Sequence, residues 1–358
     1  MKVGHYVDRW LDVSAGFVAS HVRSSRHQGL VVSREAWRNL EAFDVKPRVT
    51  LSHLRDAAPE RFKYAALRAQ LEPLLALTRT DLLHVHFGYG APDVVDSVGR
   101  RPYVLSLHGH DVTGLVVAQP HFYDRVVGAV DAVVVPSRFL AAAAVAVGFA
   151  DEQIRVIPSG VDTGFFSPAP LPGGPPCVTY VGRLVEKKGL DILLAAWPRV
   201  VAGVPDARLR VLGDGELAPL LADAPASVTH LRPEVARRHE QVREELRRAT
   251  VVVTPSRTGA TGDAESLLLV NLEAGATGRP VVSTHHGGIP EYVEDGRTGL
   301  LVPEADPEAL AAALIRLLRD PELAASLGRA AVEHVAQWDQ RRCSARVDDL
   351  YEELAVRR

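Results

Sequence analysis

Apolar residues along the chain fall into two alternating patterns. One is a series of short runs rich in β-branched and aromatic side chains: KVGHYV, LVVS, LLHVHF, PYVLSLH, AVVVPS and IRVIPS in the first half, then CVTYVGR, RLRVLGD, VTHLRP, VVVTPS, RPVVSTH and GLLVPE in the second. Runs of this length and composition read as strands. The other is a set of longer segments with apolar residues at helical spacing, among them FLAAAAVAVG, EVARRHEQVREELRRA and PEALAAALIRLLRD. Strands alternating with helices predict βαβ units on parallel sheets, hence an α/β protein. The pattern restarts midway, which predicts two doubly wound sheets in tandem.

The densest cluster of proline and glycine, SPAPLPGGPP at residues 167–176, separates the two halves and reads as a linker. It predicts a first domain over 1–170 and a second over 171–335. Residues 336–358 continue as a helix long enough to pack back onto the first domain. A length of 358 residues also favours two domains, each able to bury its own core.

Composition narrows the class. A hydrophobic fraction of 47% with 24% charged residues is that of an ordinary globular protein, neither disordered nor membrane-embedded. The formal net charge of −3 excludes a nucleic-acid partner held by bulk electrostatics, so any polyanion must be bound locally. Cys177 and Cys343, the two cysteines, have no metal-type spacing and suit a reducing compartment. The opening MKVGHYVDRWLDVS lacks the apolar core of a secretion signal, and no stretch is long enough to span a bilayer, so a cytoplasmic location is expected. Arg23, Arg26 and Arg34 read either as a solvated face or as a patch for peripheral membrane contact.

Candidate chemistry concentrates at the carboxyl ends of the strand runs, where doubly wound sheets bind ligands. VGRLVEKKGLD, residues 181–191, leaves one strand and enters the helical LDILLAAW, which makes Gly182 to Gly189 a βα loop. Arg183, Lys187 and Lys188 bring cations to a helix N-terminus whose dipole already favours anions. The loop reads either as a diphosphate site or as a solvated basic turn.

The segment DAESLLLVNLEAG places Glu265 and Glu273 eight residues apart in an otherwise apolar run. A helix is expected over LLLVNLEAGAT, residues 267–277, with Glu265 ahead of its first turn and Glu273 inside it. The amides of Ser266, Leu267, Leu268 and Leu269 are then free donors for phosphate oxygens. Helical rise puts the two carboxylates on the order of 10 Å apart, a span that suits one ligand with hydroxyls at both ends. The other reading is a pair of exposed helix residues. Burying an ionised carboxylate is costly without donors, and sugar hydroxyls are good ones.

Two histidine pairs end strands in the first half: His84 and His86 in HVHFGYGAP, His108 and His110 in YVLSLHGHDVTG. They read as ligands for a sugar or phosphate, or as capped structural residues. Metal binding is a third reading, although no carboxylate or cysteine completes a recognisable ligand set around them beyond the nearby Asp111. In the second half His285-His286-Gly287-Gly288 follows a strand. Its paired glycines allow close approach to a ligand or serve a tight turn.

Taken in order, HGHD, IPSGVD with FFSP, VGRLVEKKGLD, VLGDGEL, TPS with the paired glutamates, and GGIPEYVEDGRTGLLVP resemble the retaining family-4 glycosyltransferases. HVHFG and T-x-H-x-G-I-P-E look closest to the bacterial exopolysaccharide branch of the colanic-acid type. The resemblance implies a GT-B fold: two Rossmann-like domains facing across a cleft, the first for the acceptor and the second for the donor. It implies that Arg183 and Lys188 bind the donor diphosphate together with Gly182, that Glu273 holds the ribose hydroxyls, and that Glu265 faces the donor sugar. His108 is implied beside the sugar's C6 hydroxyl and the reacting phosphate, and Ser14-Ala15-Gly16 beside the phosphate and acceptor. The base is expected near Gly213, Asp214 and the loop from Leu231 through Arg232 to Pro233. Three places depart from the family: Ser266 follows Glu265 where glycine is common, Arg232-Pro233 stands where a glycine is usual, and the first-domain loop at Ser14-Ala15-Gly16 lacks the usual paired glycines.

The implied activity is transfer of a hexosyl or N-acetylhexosaminyl group from a nucleoside diphosphate sugar, a UDP-sugar ahead of a GDP-sugar. The acceptor would be a hydroxyl or amine of a glycan, a lipid-linked sugar or a small natural product, and no cofactor or metal is required. Catalysis is assigned to His108, Glu265, Arg183 and Lys188. Rival readings are a GT-B epimerase, an enzyme forming a C–N bond, and a non-catalytic nucleotide-sugar-binding partner subunit.

Overall fold

The computed structural model describes residues 1–8, 16–35, 44–51, 62–234 and 238–357. These divide into two compact units, Met1–Ser159 with Gln340–Arg358 as unit 1 and Gly160–Asp339 as unit 2. Ser14 and Ala15, named above beside the phosphate and acceptor, lie outside the described residues.

Unit 1 is built on a parallel sheet of β1 (Lys2–Val7), β2 (Gln28–Ser33), β3 (Arg48–Thr50), β4 (Leu82–His86), β5 (Tyr103–Ser106), β6 (Ala132–Val135) and β7 (Ile154–Val156), in the order β3-β2-β1-β4-β5-β6-β7. Unit 2 carries β8 (Cys177–Val181), β9 (Arg208–Leu212), β10 (Val228–Leu231), β11 (Val251–Thr254), β12 (Val281–Thr284) and β13 (Gly299–Val302), in the order β10-β9-β8-β11-β12-β13. Both repeat the doubly wound order, with chain direction switching sides between β1 and β4 and again between β8 and β11. Ligands bind at such switch points, outside the carboxyl ends of the strands. Strands covered on both faces need apolar side chains at successive positions, and β6 and β11 are buried throughout.

The helices used below are α1 (Gly16–Ser24), α2 (Lys63–Leu77), α3 (Arg138–Val147), α4 (Leu190–Gly203), α5 (Arg238–Arg248), α6 (Leu269–Ala276), α7 (Pro307–Arg319), α8 (Pro321–Val335) and α9 (Gln340–Val356). Their ends follow local chemistry. Ser137 caps α3 by accepting the Leu140 amide, and Gly148 closes it in the left-handed region. Asp306 caps α7 ahead of Pro307. Among the described residues no helix is long and apolar enough to cross a membrane.

One face of the unit 1 sheet packs Tyr6, Leu83, Val85 and Leu105 into the main core. The opposite face sets Val3, Leu82 and Val104 against Leu350, Tyr351 and Leu354 of α9. The C-terminal helix thus belongs to unit 1. Asp348 fixes it to the end of α1, accepting from the Ser25 hydroxyl at 2.6 Å and the Arg26 amide at 3.0 Å. Two members of the basic trio are also paired, Arg26 with Asp349 at 2.7 Å and Arg34 with Asp8 at 2.5 Å.

Three features differ from the sequence reading. The division between units falls at Ser159/Gly160, ahead of the proline-rich segment, which lies inside unit 2. The reason is Arg279, fully buried, whose guanidinium donates to the carbonyls of Ala169, Pro170, Leu246 and Arg247 and fastens that segment down. The short strand β3 has no counterpart among the runs above. Helix α6 begins at Leu269, because Leu268 is extended (φ −89°, ψ 98°), so the helical spacing assumed between Glu265 and Glu273 holds only for its second half.

Candidate active site

In unit 2 the β8 strand ends in the Gly182–Gly189 loop, whose close approaches demand glycine. At Gly189 (φ +68°) a Cβ would stand 1.9 Å from the Pro255 carbonyl oxygen, and at Gly213 one would stand 2.1 Å from that of Gly182. The loop is laced to the one after β9, since the Leu184 amide donates to Asp214 at 2.9 Å and the Leu217 amide to Leu184 at 2.8 Å. Gly213 also donates to Leu231, which brings the end of β10 alongside. Gly182, Gly213 and Leu231 therefore gather at one end of the sheet, with Arg232 exposed beside them.

Charge in this corner is segregated. Arg183 is exposed and forms no ion pair among the described residues. Lys188 turns inward to the Glu265 carboxylate at 2.9 Å, while Lys187 pairs with Asp263 at 2.9 Å and stands 3.6 Å from Glu265. Burial works to raise the Glu265 carboxyl, but Lys188 and Lys187 outweigh it and hold it below the usual range. Burial lowers Lys188, with Glu265 opposing. The result is an ionised carboxylate within a cationic loop.

Glu265 and Ser266 are buried, as is Leu268, while Leu267, Leu269 and Glu273 are half-buried. The main chain of Glu265 is held from both sides. Its amide donates to His286 Nε2 at 2.9 Å and its carbonyl accepts from the Gly288 amide at 3.0 Å. The close approach allowed by Gly287 (φ +52°) is to this carbonyl, 2.0 Å from where a Cβ would sit. Helix α6 is tied to the sheet by Asn271, which accepts from Thr254 at 2.9 Å.

In unit 1 the His108 ring packs between Phe17 and Phe87, with centroids 4.7 and 4.6 Å away, and its Nε2 is buried without a hydrogen-bond partner. Burial lowers its pKa to about 3, so the imidazole is neutral near pH 7. Asp111 braces the loop, accepting from the amides of Gly88, His108 and Gly109. Those bonds occupy its oxygens. Gly16 opens α1 and is buried.

His84 and His86 turn away from that loop into a polar layer beneath α1 and α9. His5 shares a hydrogen bond with His86 at 3.0 Å, and His84 bonds Tyr351 at 2.5 Å and Ser106 at 2.7 Å. His21 reaches the same tyrosine at 3.1 Å. The rings of His84 and His86 lie 4.0 Å apart at 30°, and one ring nitrogen from each of His5, His84 and His86 lies within 4.8 Å of the other two, close enough to hold a metal ion. Burial lowers His5, His84 and His86 well below the usual histidine range. Both rings are buried and hydrogen-bonded within unit 1.

Two family profiles match, "Glycosyltransferase Family 4" over residues 15–165 and "Glycosyl transferases group 1" over 175–320. A GDP-mannose-dependent alpha-(1-6)-phosphatidylinositol monomannoside mannosyltransferase of Mycolicibacterium smegmatis is 31% identical over 93% of this chain and 92% of its own. The chain is a member of glycosyltransferase family 4. A putative colanic acid biosynthesis glycosyltransferase, WcaL of Escherichia coli, is 35% identical over 72% of this chain and 67% of its own. Among solved structures, a sucrose-phosphate synthase from Thermosynechococcus elongatus superposes with a TM-score of 0.81 at 23% identity, covering both chains fully. HepE of Anabaena with UDP and glucose gives 0.79 at 18%, over 99% of this chain and all of its own. The fold of this glycosyltransferase is GT-B.

Four side chains around this corner carry contacts that the sequence did not announce: Lys187 as the partner of Asp263, and His286 with Glu304. Lys187 was visible as one of three loop cations, and His286 beside the paired glycines. Nothing local marked Asp263 or Glu304, which meet them only through the order of the sheet.

Proposed function

We propose that this family-4 enzyme transfers a hexosyl group from a nucleoside diphosphate sugar to an acceptor hydroxyl with retention at the anomeric carbon. The observation that carries the reading is the corner of unit 2 where exposed Arg183, inward Lys188 and ionised Glu265 meet the start of α6. Arg183 and Lys188 are proposed to take the negative charge that builds on the leaving diphosphate, a stabilisation delivered by fixed charges in a partly dry site. Glu265 faces the sugar and Glu273 the ribose. Neutral His108 offers one ring nitrogen to the sugar or phosphate.

The bond between the anomeric carbon and the phosphate oxygen breaks as the acceptor oxygen attacks from the same face. The acceptor proton passes to the departing phosphate oxygen, so no covalent sugar–enzyme intermediate is needed. The two loop cations supply the positive charge that the diphosphate requires, and the proposed reaction runs without a metal.

GDP-mannose is the first donor to test, ahead of the uridine sugar that the sequence reading preferred. The M. smegmatis relative that spans the chain is named for GDP-mannose, as is one of Mycobacterium tuberculosis at 28% identity over 91% of it. The UDP-bearing structures fall below 25% identity and support the fold alone. A lipid-linked sugar stands first among acceptors for the same reason. The test incubates the protein with GDP-mannose, then with UDP-glucose, with and without lipid-linked mannoside, in the presence of a chelator. Acceptor-dependent nucleotide release that survives the chelator and yields an α-linked product supports the proposal. Binding of donors without turnover of any would instead favour a silent partner subunit.

A further inference from the structure

The Glu265 main chain depends on a side chain that is distant in sequence. His286 is 1% exposed, and its Nε2 lies 2.9 Å from the Glu265 amide nitrogen. An amide can only donate, so Nε2 must present its lone pair, which puts the ring proton on Nδ1. That nitrogen lies 2.8 Å from Glu304 Oε1. Glu304 is itself fixed, its other oxygen accepting from the Thr258 amide at 2.7 Å and the Thr258 hydroxyl at 3.2 Å. Burial works to raise the Glu304 carboxyl, but the Thr258 amide and His286 outweigh it, so it stays ionised and locks the tautomer.

We propose that His286, oriented by Glu304, is the positioning residue that sets Glu265 in the donor site. The inference rests on the reading of unit 2 as that site. The side chain of Glu265 is governed by Lys188 and Lys187, and its carbonyl by Gly288. Its amide is the remaining main-chain handle, and without His286 that buried N–H is orphaned. The arrangement works through Glu265 and so bears on the sugar, whereas the diphosphate is gripped by Arg183 and the Gly182–Gly189 loop. Its signature is a change in recognition of the sugar with recognition of the nucleotide left intact.

The experiment is calorimetric titration of the full chain with GDP and GDP-mannose, and with UDP and UDP-glucose. The proteins compared are wild type, His286→Leu, His286→Gln and Glu304→Gln. Loss of one buried acceptor predicts that His286→Leu weakens the sugar nucleotide by about tenfold and the bare nucleotide by less than about threefold. Gln keeps both an acceptor and a donor, and should restore most of the sugar-nucleotide affinity. Glu304→Gln should give a smaller selective loss, which preserves the test if His286→Leu fails to fold. Equal weakening of both ligands, or no weakening of either, would overturn the positioning role. A wild-type protein that binds none of the four ligands would instead sink the donor-site reading itself.

Discussion

Acidification to about pH 5 is expected to destabilise unit 1 through its enclosed imidazoles. Burial lowers His21 to about 4, against an opposing Asp348, and His108 to about 3. His5, His84 and His86 are lowered in the same direction. Each folded-state pKa lies below the 6.5 of the unfolded chain, so the unfolded state binds more protons as pH falls. The stability from these groups is complete above about pH 6.5 and lost towards the folded values. At about 1.4 kcal/mol per pH unit, His21 and His108 each withdraw about 2 kcal/mol between pH 6.5 and 5. Together they remove about 4 kcal/mol, a large share of the 5–15 kcal/mol typical of a domain, and the buried trio adds to it. Asp111, which burial raises, works in the opposite sense. The assay is urea unfolding followed by far-UV circular dichroism at several values from about pH 7.5 to 5, repeated on His21→Leu, whose pH slope should be shallower by about one proton. Unfolding midpoints that superimpose across that range would refute the claim that these histidines are buried and neutral.

Lys188→Ala should lower kcat/KM by about tenfold to a thousandfold, the range for loss of one charged contact at a developing charge, measured as nucleotide release at subsaturating donor. Turnover near wild type would remove Lys188 from the diphosphate. Arg279→Met should cost about 3 kcal/mol in unfolding free energy, because four carbonyls lose a charged donor, with little change in donor affinity once folded. A drop in donor affinity without a drop in stability would contradict its role as a clamp. Gly189→Ala should destabilise unit 2 by more than about 1 kcal/mol, since the backbone is left-handed there and the Pro255 carbonyl blocks a methyl group. Thermal unfolding checks it.

Much of the fold was legible because parallel strands covered on both faces become unbroken apolar runs. The twelve strand runs correspond to β1, β2 and β4 through β13. β3 escaped because it is three residues long and only partly buried, which leaves no periodicity to read. The unit boundary was misplaced because proline and glycine signal irregular chain, whereas Arg279 decides which unit that chain joins. Arg183, Lys188 and Glu265 were legible by residue type at strand ends. Their second layer was not, because Glu304 lies well beyond His286 in sequence and reaches it through the pairing of β12 with β13. His84 and His86 were visible as a pair on one strand face, but their partners come from elsewhere, His84 bonding Tyr351 from the far end of the chain and His86 bonding His5 of β1.

On the proposed reading a nucleoside diphosphate seats on unit 2 at the carboxyl ends of β8 and β11. Hydrogen–deuterium exchange of the full chain with and without saturating GDP, and then UDP, tests it directly. Exchange should slow over residues 182–190, 213–217 and 265–273 with at least one of the two nucleotides. Unchanged exchange in all three stretches while the nucleotide is demonstrably bound, or protection confined to unit 1, would contradict it.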